Sequence, residues 1–148
     1  MIHCEQAFYI KLSYYLADHE VERVAALIGK KVGDDYFVTD VLPAQNEDRD
    51  PANMFFVSNR QVHHLMLQAS QQGEMLLGFA HSHPSHHPSN PSMADIRACR
   101  HNINAVYHPA TQSLIWFNGA GEIASQAVHS YAYLPILNSP TISSYISM

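Results

Sequence analysis

Phe8, Leu12, Tyr15 and Leu16 recur at helical spacing between positions 6 and 19, and this pattern predicts a first amphipathic helix. The period then changes: residues 21–31 and 36–42 read as two strands around Gly33-Asp34-Asp35, a turn sequence that should fold them into a hairpin. A polar loop through Asn46, Glu47, Asp48, Arg49, Asp50 and Pro51 precedes residues 54–57. After it, Ser58 opens a second helix whose Val62, Leu65, Met66 and Ala69 make one apolar stripe. Met75-Leu76-Leu77-Gly78-Phe79-Ala80 is an apolar run of strand length, ending at His81 and His83. Pro88, Asn90 and Pro91 break the chain, and residues 91–100 predict a third helix with Ser92 as its N-cap. Residues 105–108 and 113–117 read as strands, Asn118-Gly119 as a turn, and residues 122–129 as a returning strand. This order of elements suits an α/β (α+β) fold, a mixed central sheet flanked by helices.

With 148 residues and 47% hydrophobic content, the chain is the size of a single domain with its own core. That domain is expected to span residues 1–130. Residues 101–148 carry a single formal charge, Glu122. The tail 131–148, with Tyr131, Tyr133, Leu134, Pro135, Ile136 and Leu137, is therefore expected to pack on the domain, on a second subunit or on a partner protein. A net charge of −5 with only 8 Lys and Arg and no basic run offers no footprint for a phosphate backbone, so nucleic acid is not expected as a partner. Cys4 and Cys99 are too few for a disulfide framework. The start of the chain lacks the character of a signal peptide, and no apolar stretch approaches a membrane span, so a soluble, cytoplasmic protein is expected.

The candidate chemistry lies at the third helix. In extended chain, His81 and His83 share a face with their Cα atoms about 6.6 Å apart, so both rings can tilt toward one ion. Chance alone produces such pairs in a chain with 11 histidines, and the residues that follow supply the specificity. Ser92 and Asp95 emerge together at a helix start, where free N–H groups and the positive dipole end favour anions. Ser-x-x-Asp is also a variant of the capping box, a purely structural use of the same two residues.

His81-Ser82-His83 followed by Ser92-Met93-Ala94-Asp95 resembles the signature of the JAMM (MPN+, JAB) zinc metallopeptidases. That signature is an upstream Glu, then His-Ser/Thr-His, seven residues, Ser, two residues and Asp. Here eight residues, 84–91, separate His83 from Ser92, an extra loop position of a kind that loops tolerate. The family's glutamate lies on an early strand ending in a small-residue turn, and Glu22-Arg23-Val24-Ala25-Ala26-Leu27-Ile28-Gly29 matches in residue type. Glu20 is the rival, since it would point to the same side of an extended chain.

The resemblance implies a JAMM/MPN-like fold over residues 1–130, with one Zn2+ held by His81, His83 and Asp95. Three protein ligands leave a fourth position for water, as in a catalytic site. It implies Glu22 as general base and Ser92 as a donor to the oxyanion. It also implies an isopeptidase or peptidase acting after the C-terminal glycine of a ubiquitin-like or sulfur-carrier protein. Such a tail would be held as an added strand, in an approach narrow enough to select glycine. Other classes stay open. The chain could be a noncatalytic JAMM-like scaffold, or a metal-binding module in which His86 or His87 closes the coordination. A bacterial DNA-repair-associated family carries a similar His-x-His-Pro and Pro-Ser-x-x-Asp signature, against which the charge balance weighs. His63 and His64 fall on the second helix, which reads as scaffold.

Overall fold

The computed structural model describes residues 1–99, 103–123 and 128–131. Eight strands form one mixed sheet: β1 (Ile2–Glu5), β2 (Val24–Val32), β3 (Asp35–Ala44), β4 (Met75–Ser82), β5 (Asn104–His108), β6 (Ser113–Asn118), β7 (Gly121–Glu122) and β8 (Val128–Tyr131). Three helices accompany them, α1 (Gln6–Leu16), α2 (Asn59–Gln71) and α3 (Met93–Ala98). Across the sheet the order is β7-β6-β5-β4-β2-β3-β1-β8. β1 runs parallel to β3 and β8, and β4 to β5, while the remaining pairs are antiparallel.

Alternation along β2 explains why its first half is apolar at every position. Ala25 and Leu27 enter a core with Phe8, Leu12 and Leu16 of α1, whereas Val24, Ala26 and Ile28 face Leu65 and Ala69 of α2. The strand is covered on both sides. The expected hairpin forms, with Gly33 at φ +62 in the turn between β2 and β3. Against β4 the register of β2 shifts, Leu27 pairing with Gly78 but Ile28 with Leu76, so Leu77 is an extra residue in β4. This bulge resets the phase of the strand. Leu77 and Ala80 join the α1 core, while Phe79 turns toward α2. By period 2, His81 follows Phe79 onto that same side.

A second shift lies between β2 and β3, next to Gly29. A Cβ built there would stand 1.9 Å from the Phe37 carbonyl oxygen, which is backbone and cannot swing aside. Gly29→Ala should therefore cost on the order of 3 kcal/mol in stability by forcing the hairpin apart. A urea midpoint equal to wild type would show that the strands separate more easily than this contact implies.

Several expectations are corrected. Glu22 precedes β2, and Gly29 lies inside that strand, not in a turn at its end. Ile2–Glu5 is a strand that four residues were too short to announce by periodicity. Met66, expected in the apolar stripe, is 52% exposed, leaving Val62, Leu65 and Ala69 to face the sheet. The segment 122–129 is not one returning strand. Glu122 pairs with β6 at one edge, whereas Val128 pairs with Ile2 at the other. All of the expected tail 131–148 except Tyr131 lies outside the described residues.

Candidate metal centre

β4 delivers His81 and His83 at its C-terminal end, both buried, with their Nε2 atoms 3.2 Å apart. Helix α3 brings Asp95 to them across the loop 84–91. Asp95 Oδ2 lies 3.3 Å from His81 Nε2 and 3.1 Å from His83 Nε2. The capping box also forms: Ser92 N donates to Asp95 Oδ2 at 2.8 Å, and Asp95 N donates to Ser92 Oγ at 3.0 Å. The structural and chemical uses of Ser-x-x-Asp therefore coexist. The cap fixes the carboxylate that faces the imidazoles, and Ser92 Oγ, which accepts in the cap, still has its own hydrogen to donate.

The tautomer of His83 follows from its other nitrogen. His83 Nδ1 lies 2.8 Å from the Pro88 carbonyl oxygen, which only accepts, so Nδ1 carries the proton and the neutral ring turns its Nε2 lone pair inward. Pro88 belongs to the long loop, which thus contributes to the site through its backbone. The loop is tied down on its outer side as well, where Ser85 N donates to the His19 carbonyl at 3.1 Å. Two imidazole nitrogens and a carboxylate oxygen lie 3.1–3.3 Å from one another, an arrangement that could hold a cation. Donors at about 2.1 Å from a tetrahedral zinc stand about 3.4 Å from each other, so the triangle has the dimensions of one face of such a site. His81 Nδ1 is buried without a hydrogen-bond partner among the described residues, and the ring stacks on Phe55 with centroids 4.4 Å apart.

Glu22 is held at the same place through its backbone. Its N–H donates to the Pro51 carbonyl at 2.6 Å, and its carbonyl accepts from Asn46 Nδ2 at 2.7 Å. Next to it, Arg23 N donates to Ser82 Oγ at 2.8 Å and Ser82 N donates to the Arg23 carbonyl at 2.9 Å, which ties Glu22 to the histidine strand. Asn46 and Ser82 were not singled out from the sequence as site residues. A serine between the two histidines was the available signal for Ser82; Asn46 had none beyond its polar loop. Glu22, His81 and His83 could hold a metal, since each offers a ligand atom and these lie within 4.8 Å of one another. The His81–His83–Asp95 triangle has edges of 3.1–3.3 Å that match tetrahedral coordination, whereas the group with Glu22 is bounded only at 4.8 Å. Glu20 is exposed in the preceding turn and lies outside this group.

The electrostatics follow the packing. Burial pushes the Glu22 carboxyl up to about 7, His83 opposes this, and the charges of Asp95, Asp48 and Asp50 reinforce it. Burial pulls His81 below its usual range. Burial also acts downward on His83, but Asp95, the Pro88 carbonyl and Glu22 outweigh it and raise the group. Asp95 is held well below the ordinary carboxylate range because its interactions with His81 and His83, and the bond from Ser92 N, overcome its burial. His86 and His87 point instead to Asn53 Oδ1, at 3.4 and 3.1 Å. Neither belongs to the group of close donors found among the described residues.

The sequence matches the model of prokaryotic homologues of the JAB domain over residues 9–128. The chain belongs to this family. In overall fold, the JAB-family chain is similar to a protein of Desulfitobacterium hafniense solved in solution, at TM-score 0.74 and 23% identity, covering 90% of this chain and 95% of that one. It is similar to a JAB1/MPN domain protein of Archaeoglobus fulgidus at TM-score 0.54 and 19% identity, over 88% and 98% of the two chains. A protein of Salinibacter ruber aligns at TM-score 0.58 and 19% identity, over 86% and 84%. No curated protein matches the chain in sequence. The JAB/MPN family includes hydrolases. No helix among the described residues is long and apolar enough to cross a membrane.

Proposed function

We propose that this JAB-family protein is a zinc-dependent peptidase or isopeptidase that hydrolyses the amide after the C-terminal glycine of a ubiquitin-like or sulfur-carrier protein. The reading rests above all on one observation: three donors at 3.1–3.3 Å from one another beside the buried Glu22 carboxylate, within 4.8 Å of both imidazoles. His81, His83 and Asp95 would hold the ion. When bound, it supplies a Lewis acid and a water of lowered pKa.

The chain's own groups divide the remaining work. A carboxylate poised near neutral pH takes a proton from water as the new O–C bond forms, and returns it to the leaving nitrogen as the C–N bond breaks. Glu22 has that property because it is buried among other acids. Ser92 Oγ, positioned by the cap, has its hydrogen available for the developing oxyanion. Asn46 holds the Glu22 carbonyl and Ser82 the N–H of the adjacent Arg23, so that this carboxylate need not be organised during reaction.

The test is cleavage of a reporter fused through the C-terminal glycine of several ubiquitin-like and sulfur-carrier proteins, with and without chelator. Cleavage of at least one fusion, lost on chelation and restored by added Zn2+, is the expected result. Chelator-insensitive cleavage, or none with any fusion, would exclude the reading.

A further inference from the structure

The peptide that joins His87 to Pro88 has no N–H, so its carbonyl is the only polar group by which that part of the loop can be held. That carbonyl is taken. His108 Nε2, at the C-terminal end of β5, lies 3.0 Å from the His87 carbonyl oxygen. A carbonyl only accepts, so Nε2 carries the hydrogen; in the neutral ring Nδ1 then accepts from Thr111 Oγ1 at 2.9 Å, and Thr111 Oγ1 is in contact with Ser113 Oγ at 2.9 Å. His108 is 6% exposed, so the carbonyl it meets is held by protein and not by bulk water.

This bond acts on the carbonyl next to the one that His83 uses. His108 donates to the carbonyl of residue 87, and His83 Nδ1 donates to that of residue 88 at 2.8 Å. Between the two stands one proline, whose ring holds φ near about −65°, so the proline ψ is the one soft torsion separating them. Holding the first carbonyl therefore confines the second. β5 grips His83 in another way as well, because His83 N donates to the Tyr107 carbonyl at 2.9 Å. Neighbouring residues of one strand thus fix the His83 backbone directly and its ring by way of the loop. The turn after β5 returns Thr111 to the ring: Thr111 N and Gln112 N donate to the His108 carbonyl at 3.2 and 2.7 Å, with Gln112 in the left-handed region at φ 58.

We propose that His108 is a positioning residue for the metal centre: through the His87–Pro88 peptide it keeps the Pro88 carbonyl on His83 Nδ1, and so keeps His83 Nε2 facing His81 and Asp95. The role rests on the reading of His83 as a metal ligand. It belongs to a residue outside the site itself, since His108 does not line the cleft. Losing its bond leaves every donor of the triangle in the chain but frees one of them to turn, and a ring that turns, or that carries its hydrogen on Nε2, no longer offers that nitrogen to an ion.

Three substitutions test this. His108→Phe removes the bond and keeps a ring, His108→Gln keeps an N–H donor, and Ser85→Ala removes the loop's other side-chain contact, 2.7 Å from His19 Nδ1, without touching Pro88. The first measurement is the zinc dissociation constant of the whole protein by competition with a chelator. His108→Phe should weaken zinc by about tenfold, the lower end for groups that support a ligand, while His108→Gln and Ser85→Ala stay within about twofold of wild type. The second is solvent exchange of the His83 Nδ1 hydrogen in the zinc-loaded protein, followed by NMR, which should quicken in His108→Phe alone. Unchanged affinity and exchange in His108→Phe would overturn the proposal. So would equal weakening in His108→Gln or Ser85→Ala, which would mark a general loosening of the loop. If His108→Phe does not fold, Thr111→Val at an exposed position removes the donor to Nδ1 and should shift both readouts in the same direction by less; no shift there would overturn the proposal too. Neither measurement involves cleavage, so these shifts in a protein that cleaves no fusion would uphold His108 and reject hydrolysis.

Discussion

Asp95→Ala should empty the metal centre, reducing bound zinc in the purified protein from about one ion per chain to near none and abolishing cleavage with it. The substitution removes the oxygen that lies 3.3 and 3.1 Å from the two imidazole nitrogens, leaving His81 Nε2 and His83 Nε2 3.2 Å apart with no carboxylate between them. Two neutral ligands retain a divalent ion far less well than two plus a carboxylate. The same oxygen accepts from Ser92 N, so loss of the cap should cost about 1 kcal/mol in stability as well. Elemental analysis of the folded variant is the measurement. Stoichiometric zinc in Asp95→Ala would overturn this ligand set and give Glu22 the third place beside His81 and His83, the alternative group within 4.8 Å.

Glu22→Gln should have the complementary effect, full metal content with kcat reduced by about 10³, the scale of a lost general base. Glutamine keeps the volume and the backbone bonds to Pro51 and Asn46, but it cannot take a proton from water. Wild-type turnover in this variant would remove Glu22 from the mechanism. Loss of zinc would instead make it a ligand. The pair of substitutions thus assigns the two carboxylates independently, one to holding the ion and one to moving the proton.

Much of the layout was legible because it is local. The helical spacing of Phe8, Leu12 and Leu16, the Ser58 and Ser92 caps, and the Gly33 turn each act over a few residues, and each forms as the pattern predicts. What escaped depends on neighbours distant in sequence. Ile2–Glu5 becomes a strand by pairing with β3 and β8, a stabilisation invisible in four residues. The destination of Val128–Tyr131 at the far edge is likewise set by β1, not by the turn that precedes it.

Sequence by itself determined the kinds of chemical groups and their rough order: two imidazoles at a strand end, a serine and an aspartate at a helix start, and an acid upstream. Residue type and short-range periodicity suffice for that. The tertiary structure alone decided how these groups meet. The bulge at Leu77 is consistent with His81 turning to the side of Phe79, and Glu22 is brought to the histidines by the bond of its neighbour Arg23 to Ser82, 59 positions away, and by its own to Asn46, 24 positions away. It also decided that the space beside the centre is broad and apolar, because Phe55, Phe79 and Phe117 come from segments that only the folded sheet makes adjacent. Distances between groups far apart in the chain are fixed by strand pairing and packing, which local pattern does not encode.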